Sequence, residues 1–101
     1  MFKNISSNGV YKNLYNGQWV ESETGNLIEI YSPIDHSLVG KVQAMGEDEV
    51  DKAIQEARKA QKAWADLPLN QRADLLYKAA DILLEQEQDI ADIMVREIAK
   101  D

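Results

Sequence analysis

Covalent catalysis needs a nucleophile, and this 101-residue chain contains no cysteine. A nucleophile would therefore have to be Ser, Thr, Lys or a carboxylate. No Gly-x-Ser-x-Gly or Ser-x-x-Lys surrounds any of them, so nothing in the local pattern would activate one. The missing thiols also exclude disulfides and Cys-based zinc or iron–sulfur sites. A lone histidine, His36, excludes a multi-His metal centre. There is no Gly-x-Gly-x-x-Gly and no phosphate loop, so no nucleotide-binding fingerprint is present.

The remaining candidates each have a plainer structural reading. His36 lies beside Asp35 in a predicted turn, where a solvated imidazole is the simpler expectation than a proton carrier. Trp64 could serve as a ligand platform, but its helical spacing from Ala57 and Ala60 predicts a core anchor. Arg72 could hold an anion; a structural ion pair with an acid on a neighbouring helix is the expected role. Glu85, Glu87, Asp89 and Asp92 fall around helix surfaces without the alternating spacing and glycine of a calcium loop. By these criteria the residues alone contain no active site.

The formal charge of −7, from 18 acidic and 11 basic residues, gives a surface that repels phosphate backbones and anionic lipid. Nucleic-acid and membrane binding are not expected. No apolar run of signal-peptide or membrane-spanning length occurs, and a cytoplasmic location is the expectation. With 45% hydrophobic and 29% charged residues the composition is globular. A core built from so short a chain is small and often needs help from partner surfaces.

The elements that would position any site read in two blocks. Residues 1–10 are polar and turn-rich and are expected to form a loose tail. Residues 11–45 hold four short strands. Asn16-Gly17 between two β-favouring runs predicts a hairpin over about 12–20, because both turn positions require positive φ. Leu27 to Tyr31 is a second β run, stopped at Ser32-Pro33. Asp35-His36-Ser37 turns the chain into a strand over Leu38 to Val42.

From 46 to 101 the period shifts to 3.6 and predicts three helices, over about 47–65, 69–86 and 88–99. Val50, Ala53, Ile54, Ala57, Ala60 and Trp64 line the first helix. Ala73, Leu76, Ala80, Leu83 and Leu84, widened by Leu75, Ala79 and Ile82, make the second stripe broad enough to face more than one neighbour. The third carries Ile90, Ile93, Met94 and Ile98 and runs out without Gly, Pro or another stop signal, as expected of a sequence that continues. The expected fold class is α+β, a hairpin and short strands followed by three helices.

These pieces occur in a recognisable order. Leu14-Tyr15-Asn16-Gly17-Gln18-Trp19-Val20 leads to Tyr31-Ser32-Pro33 and then to Leu38-Val39-Gly40-Lys41-Val42. The Ala-rich run from Ala57 to Trp64 and an Arg-led helix from Arg72 to Leu84 follow. Over residues 11–101 the series resembles the N-terminal segment of the aldehyde dehydrogenase superfamily. Many members have Asn-Pro-Ala-Thr-Gly where this chain has Ser32-Pro33-Ile34-Asp35-His36, and Glu-Thr-Gly-Lys where it has Glu97-Ile98-Ala99-Lys100. The latter form is similar to that of the NADP-dependent non-phosphorylating glyceraldehyde-3-phosphate dehydrogenases, with semialdehyde or betaine-type dehydrogenases the near alternative.

The resemblance implies a larger α/β Rossmann-like subunit that oxidises an aldehyde to the acid with NADP or NAD and assembles as a dimer or tetramer. Its catalytic cysteine, glutamate and asparagine and its cofactor loops would all lie beyond residue 101, so the chain alone is expected to be inactive and to dock on the remainder of the subunit. One family site reaches this stretch. Backbone carbonyls before the x-Pro motif and a carboxylate near the end of the third helix hold a monovalent cation in many members. The matching residues here are Ile30, Tyr31 and Glu97; the competing reading of Glu97 is a local cap or salt bridge. The alternative to the whole assignment is an autonomous acidic α+β interaction domain without enzyme activity.

Overall fold

The computed structural model describes residues 6–101. Six short strands precede three helices: β1 (Ser6–Ser7), β2 (Val10–Tyr11), β3 (Asn13–Tyr15), β4 (Gln18–Val20), β5 (Leu27–Tyr31), β6 (Leu38–Gln43), α1 (Glu47–Asp66), α2 (Leu69–Glu85) and α3 (Glu87–Ile98). The α+β class and all three helices agree with the sequence reading to within one residue at each end. The strand count does not. Four were expected, and the two extra strands lie where a loose tail was predicted; residues 1–5 of that tail lie outside the described residues.

The reason is a second Asn-Gly turn. Asn8 and Gly9 adopt φ of 51° and 76°, matching Asn16 and Gly17 at 48° and 71°. Positive φ at both central positions gives the turn whose twist suits paired strands. Ser7 therefore faces Val10, as Tyr15 faces Gln18. Its flanking runs, Ser6-Ser7 and Val10-Tyr11, are too short for alternation to mark them as strands in the sequence.

β1, β2, β6 and β5 form one sheet in that order, and β3 with β4 forms a separate hairpin. β2 runs parallel to β6, pairing Val10 with Lys41 and Tyr11 with Val42, while β5 runs antiparallel to β6. A bulge between Ile30 and Tyr31 shifts the β5–β6 register just before Pro33. Gly40 makes the parallel approach possible: a Cβ there would meet the Tyr11 ring at 2.9 Å and the Gly9 carbonyl oxygen at 3.3 Å.

The interior is polar. Among the described residues no hydrophobic side chain is buried, whereas Ser22, Ser32 and Glu49 are. Trp64, expected as a core anchor, stays 38% exposed, and Leu76, Leu83 and Leu84 on the broad stripe of α2 are exposed by 57–68%. These expectations fail within this chain because the helices pack little against one another and little of the sheet lies over α1 and α2. The Cα radius of gyration, 16.5 Å, exceeds the roughly 13 Å of a compact chain this long. The accessible surface, 8048 Å², is about 2,200 Å² above the value for a compact monomer of this mass.

Candidate functional site

The most densely bonded cluster lies where the loop after β4, the end of β6 and the start of α1 meet. Glu49 occupies the third position of α1, and its carboxylate accepts the Gly46 N–H at 3.3 Å, satisfying one of the helix's unpaired donors. Gly46 has no side chain to complete the reciprocal cap. The Ser22 hydroxyl, 2.8 Å from Glu49 Oε1, and the Glu23 N–H, 3.1 Å from Oε2, bring the loop onto the same carboxylate. Ser22 has one hydroxyl proton. Donating it to Glu49 leaves Thr24 Oγ1, at 2.7 Å, to donate to the Ala44 carbonyl. The Ser22 N–H donates to Gln43 Oε1 at 3.1 Å.

The Ser22 hydroxyl, followed by the Glu23, Gly46 and Thr24 amides, holds the Glu49 carboxyl below its ordinary range, overcoming the opposing effect of burial. These bonds tie the loop, the end of β6 and the start of α1 together, and the cluster is a joint between sheet and helix.

A second arrangement lies on β5 and β6. Glu29 and Lys41 are directly opposite in the ladder, and Lys41 Nζ stands 2.8 Å from Glu29 Oε1. The Tyr31 hydroxyl, two residues along the same face, donates to the other Glu29 oxygen. Lys41, then Tyr31, depresses the Glu29 carboxyl; in return Glu29 raises both the Lys41 ammonium and the Tyr31 phenol. Lys41 is thereby held protonated, the opposite of what a nucleophilic amine needs.

The third arrangement is an apolar cavity of about 250 Å³ between the sheet and α3, lined by Tyr11, Ile30, Val39, Gly40, Val42, Ile93 and Glu97. Ile30 and Glu97, two of the three residues expected at a cation site, share this cavity; Tyr31 does not line it. Glu97 makes no hydrogen bond or ion pair among the described residues, so the local cap or salt bridge expected for it is not formed. The end of α3 is closed instead by Ala99, at φ 53°, whose N–H donates to the Val95 carbonyl at 3.0 Å. No stop signal had been read there, since left-handed backbone at alanine is not encoded in residue type.

The remaining candidates are structural. His36 is exposed in the turn after Pro33 with φ 60°, and Asp35 accepts from the Ser37 amide and hydroxyl rather than from the imidazole. Arg72 makes no ion pair among the described residues. Its Nε donates to the Leu67 carbonyl at 3.2 Å, closing the break between α1 and α2 by satisfying a backbone group. No group of three or more potential metal-binding His, Cys, Asp or Glu side chains occurs among the described residues. Among the described residues no helix is long and apolar enough to cross a membrane. Sequence reading missed the Ser22–Glu49 joint, and only the Glu at the third helical position hinted at it.

What decides the assignment is the match of this whole arrangement to known proteins. The model of the aldehyde dehydrogenase family matches residues 19–101. This chain belongs to that family. Among its curated family relatives, NADP-dependent glyceraldehyde-3-phosphate dehydrogenase of Apium graveolens is 43% identical over 99% of this chain and 20% of its own length. The enzyme of the same name from Pisum sativum is 44% identical over 95% of the chain and 19% of its own. Among solved aldehyde dehydrogenase structures, NADP-dependent glyceraldehyde-3-phosphate dehydrogenase from Bacillus halodurans complexed with NADP superposes with a TM-score of 0.86 at 43% identity, covering 88% of this chain and 19% of that one. The chain thus spans about a fifth of the length of the aldehyde dehydrogenases it matches.

Proposed function

We propose that this chain is the N-terminal section of an aldehyde dehydrogenase subunit, where it builds and braces the outside of the cofactor-binding domain without supplying a catalytic group. The observation that carries the reading is the unburied apolar surface of α1, α2 and α3. Leu69, Leu76, Tyr77, Leu83 and Leu84 are each more than half exposed. A surplus of about 2,200 Å² over a compact monomer is on the scale of a permanent interface. The remainder of the subunit is the partner that such a surface fits.

For the complete protein we infer oxidation of an aldehyde, glyceraldehyde 3-phosphate by likeness to the relatives above, to the acid with NADP, in a cytoplasmic oligomer. NADP supplies the hydride acceptor in such a reaction. The residues of this chain do not fit that group: they include no glycine-rich phosphate loop, and no step through the cofactor is derived from them. Their contribution is positional. Glu49 and Ser22 set where α1 leaves the sheet, and Arg72 sets where α2 leaves α1.

The same reading gives Ile30, Tyr31 and Glu97 a monovalent cation. The bulge between Ile30 and Tyr31 interrupts the ladder where two carbonyls would be needed, and Glu97 offers an unpaired carboxylate on the cavity that Ile30 lines. Hard oxygen donors of this kind suit such an ion. Glu97→Gln in the complete protein is expected to weaken potassium-dependent stability; unchanged potassium dependence would remove the site.

Intact mass of the natural gene product, followed by aldehyde-dependent NADP reduction, tests the main reading. A multi-domain mass with NADP reduction supports it. A mass of 11.4 kDa would overturn it and leave an autonomous interaction domain.

A further inference from the structure

Two exposed Asn-Gly turns share one backbone geometry but differ in what surrounds them. At Asn8-Gly9 the turn is held by the neighbouring strand: the Lys41 N–H donates to the Gly9 carbonyl at 2.9 Å. Gly40 also packs closely beneath it, since a Cβ there would meet that same carbonyl oxygen at 3.3 Å. At Asn16-Gly17 the turn is the tip of a two-stranded hairpin outside the main sheet. Both turns are exposed and leave open space where the glycine Cβ would stand; among the described residues the difference is the main-chain bond from Lys41 of a third strand, which the Asn8-Gly9 turn receives and the Asn16-Gly17 turn does not.

The chemistry that follows is intramolecular. In a two-residue turn the ladder bonds are made by the flanking residues, here Tyr15 and Gln18, so the Gly17 N–H is not committed to the ladder. Gly17 has no side chain to shield that nitrogen. We propose that Asn16 is a site of spontaneous deamidation in this protein, selected over Asn8 by the freedom of its turn. The Gly17 amide nitrogen loses its proton to solvent base and attacks Asn16 Cγ. A C–N bond forms, the Asn16 side-chain nitrogen leaves as ammonia, and a five-membered succinimide remains. Water then opens one of the two ring carbonyls, giving Asp or isoaspartate at position 16. No oxidant or reductant is involved.

The isoaspartyl product threads the main chain through the former side-chain methylene, adding one backbone atom to a turn that tolerates two residues of fixed φ. It also adds a negative charge to a chain already at −7. The β3–β4 register, in which Leu14 faces Trp19, is lost with it, and so is the seat of α1 against β3.

The test is made on the intact natural product carrying this chain. It is held in mildly alkaline buffer, and peptide mass mapping follows deamidation and isoaspartate at Asn8, Asn13, Asn16 and Asn26 over time. Native protein is expected to deamidate at Asn16 several-fold faster than at Asn8, with the difference disappearing in denaturant, where both turns are open. An Asn16→Ser variant is expected to abolish the dominant product. Equal native rates at Asn8 and Asn16, or retention of the Asn16 amide for as long as that of Asn13, would overturn the proposal.

Discussion

Ser22 and Glu49 lie 27 positions apart in sequence, and a 2.8 Å hydrogen bond between hydroxyl and carboxylate joins them at a buried junction of loop, sheet and helix. Its environment makes it the first place where a single side chain controls the attachment of α1. Ser22→Ala is expected to cost about 1 kcal/mol at this joint, because the buried carboxylate keeps its desolvation but loses a donor. Hydrogen exchange reads this directly, as faster exchange of the Val50 amide that closes the first turn of α1 onto the Gly46 carbonyl at 3.1 Å. Unchanged exchange would show that the remaining amide donors carry the joint alone.

The same joint has a defined pH dependence. The Glu49 carboxyl is held below its ordinary value of 4.5 in the folded state. Between the folded and unfolded values the unfolded chain binds more protons, so stability rises with pH. The contribution is complete above about 4.5 and is lost as pH falls through the lower, folded value. Protection of the Val50 amide relative to its intrinsic exchange rate at each pH should therefore fall on acidification in that range, and Glu49→Gln should abolish that acid-dependent part.

Gly40 is the residue that lets β2 lie parallel to β6. Gly40→Ala is expected to destabilise that pairing by about 1–3 kcal/mol, the scale of an overpacked contact. The added methyl would lie 2.9 Å from the Tyr11 ring. Faster exchange of the Lys41 amide would report the loss. In a Tyr11→Ala background the same substitution should cost less; equal costs in the two backgrounds would place the strain in the Gly9 backbone instead.

Ala99 closes α3 in a left-handed conformation that alanine resists by roughly 1–2 kcal/mol. Ala99→Gly should relieve that strain and slow exchange of the Ala99-position amide, which donates to Val95. A faster-exchanging amide in the glycine variant would mean that chain entropy outweighs the strain.

The exposed helix faces make a prediction about the chain in isolation. With Leu69, Leu76 and Leu84 in water, it should bind a hydrophobic dye, self-associate with concentration and melt without a sharp transition. A cooperative melt of a dilute monomer would contradict this.

Local chemistry made much of this legible beforehand. Asn16-Gly17 demanded positive φ and announced a hairpin; Pro33 ended a strand; the change of period at Gly46 marked where helices begin. Ile30, Tyr31 and Glu97 were grouped from the likeness to a family alone. The structure brings Ile30 and Glu97 onto one cavity, because α3 turns back toward β5, a relation that no residue spacing expresses.

What the sequence by itself determined is therefore the order of strands before helices, the helix bounds, the absence of a thiol or nucleotide-loop chemistry, and the family. Each rests on backbone preference or side-chain type, which act within a few residues. Only the tertiary structure decided that Ser22 would meet Glu49, that β2 would join β6, that Asn8 would be clamped while Asn16 stays free, and that Trp64 would remain half in water. Those outcomes depend on which distant surfaces meet, and a hydrophobic stripe specifies that it must be covered without specifying by what.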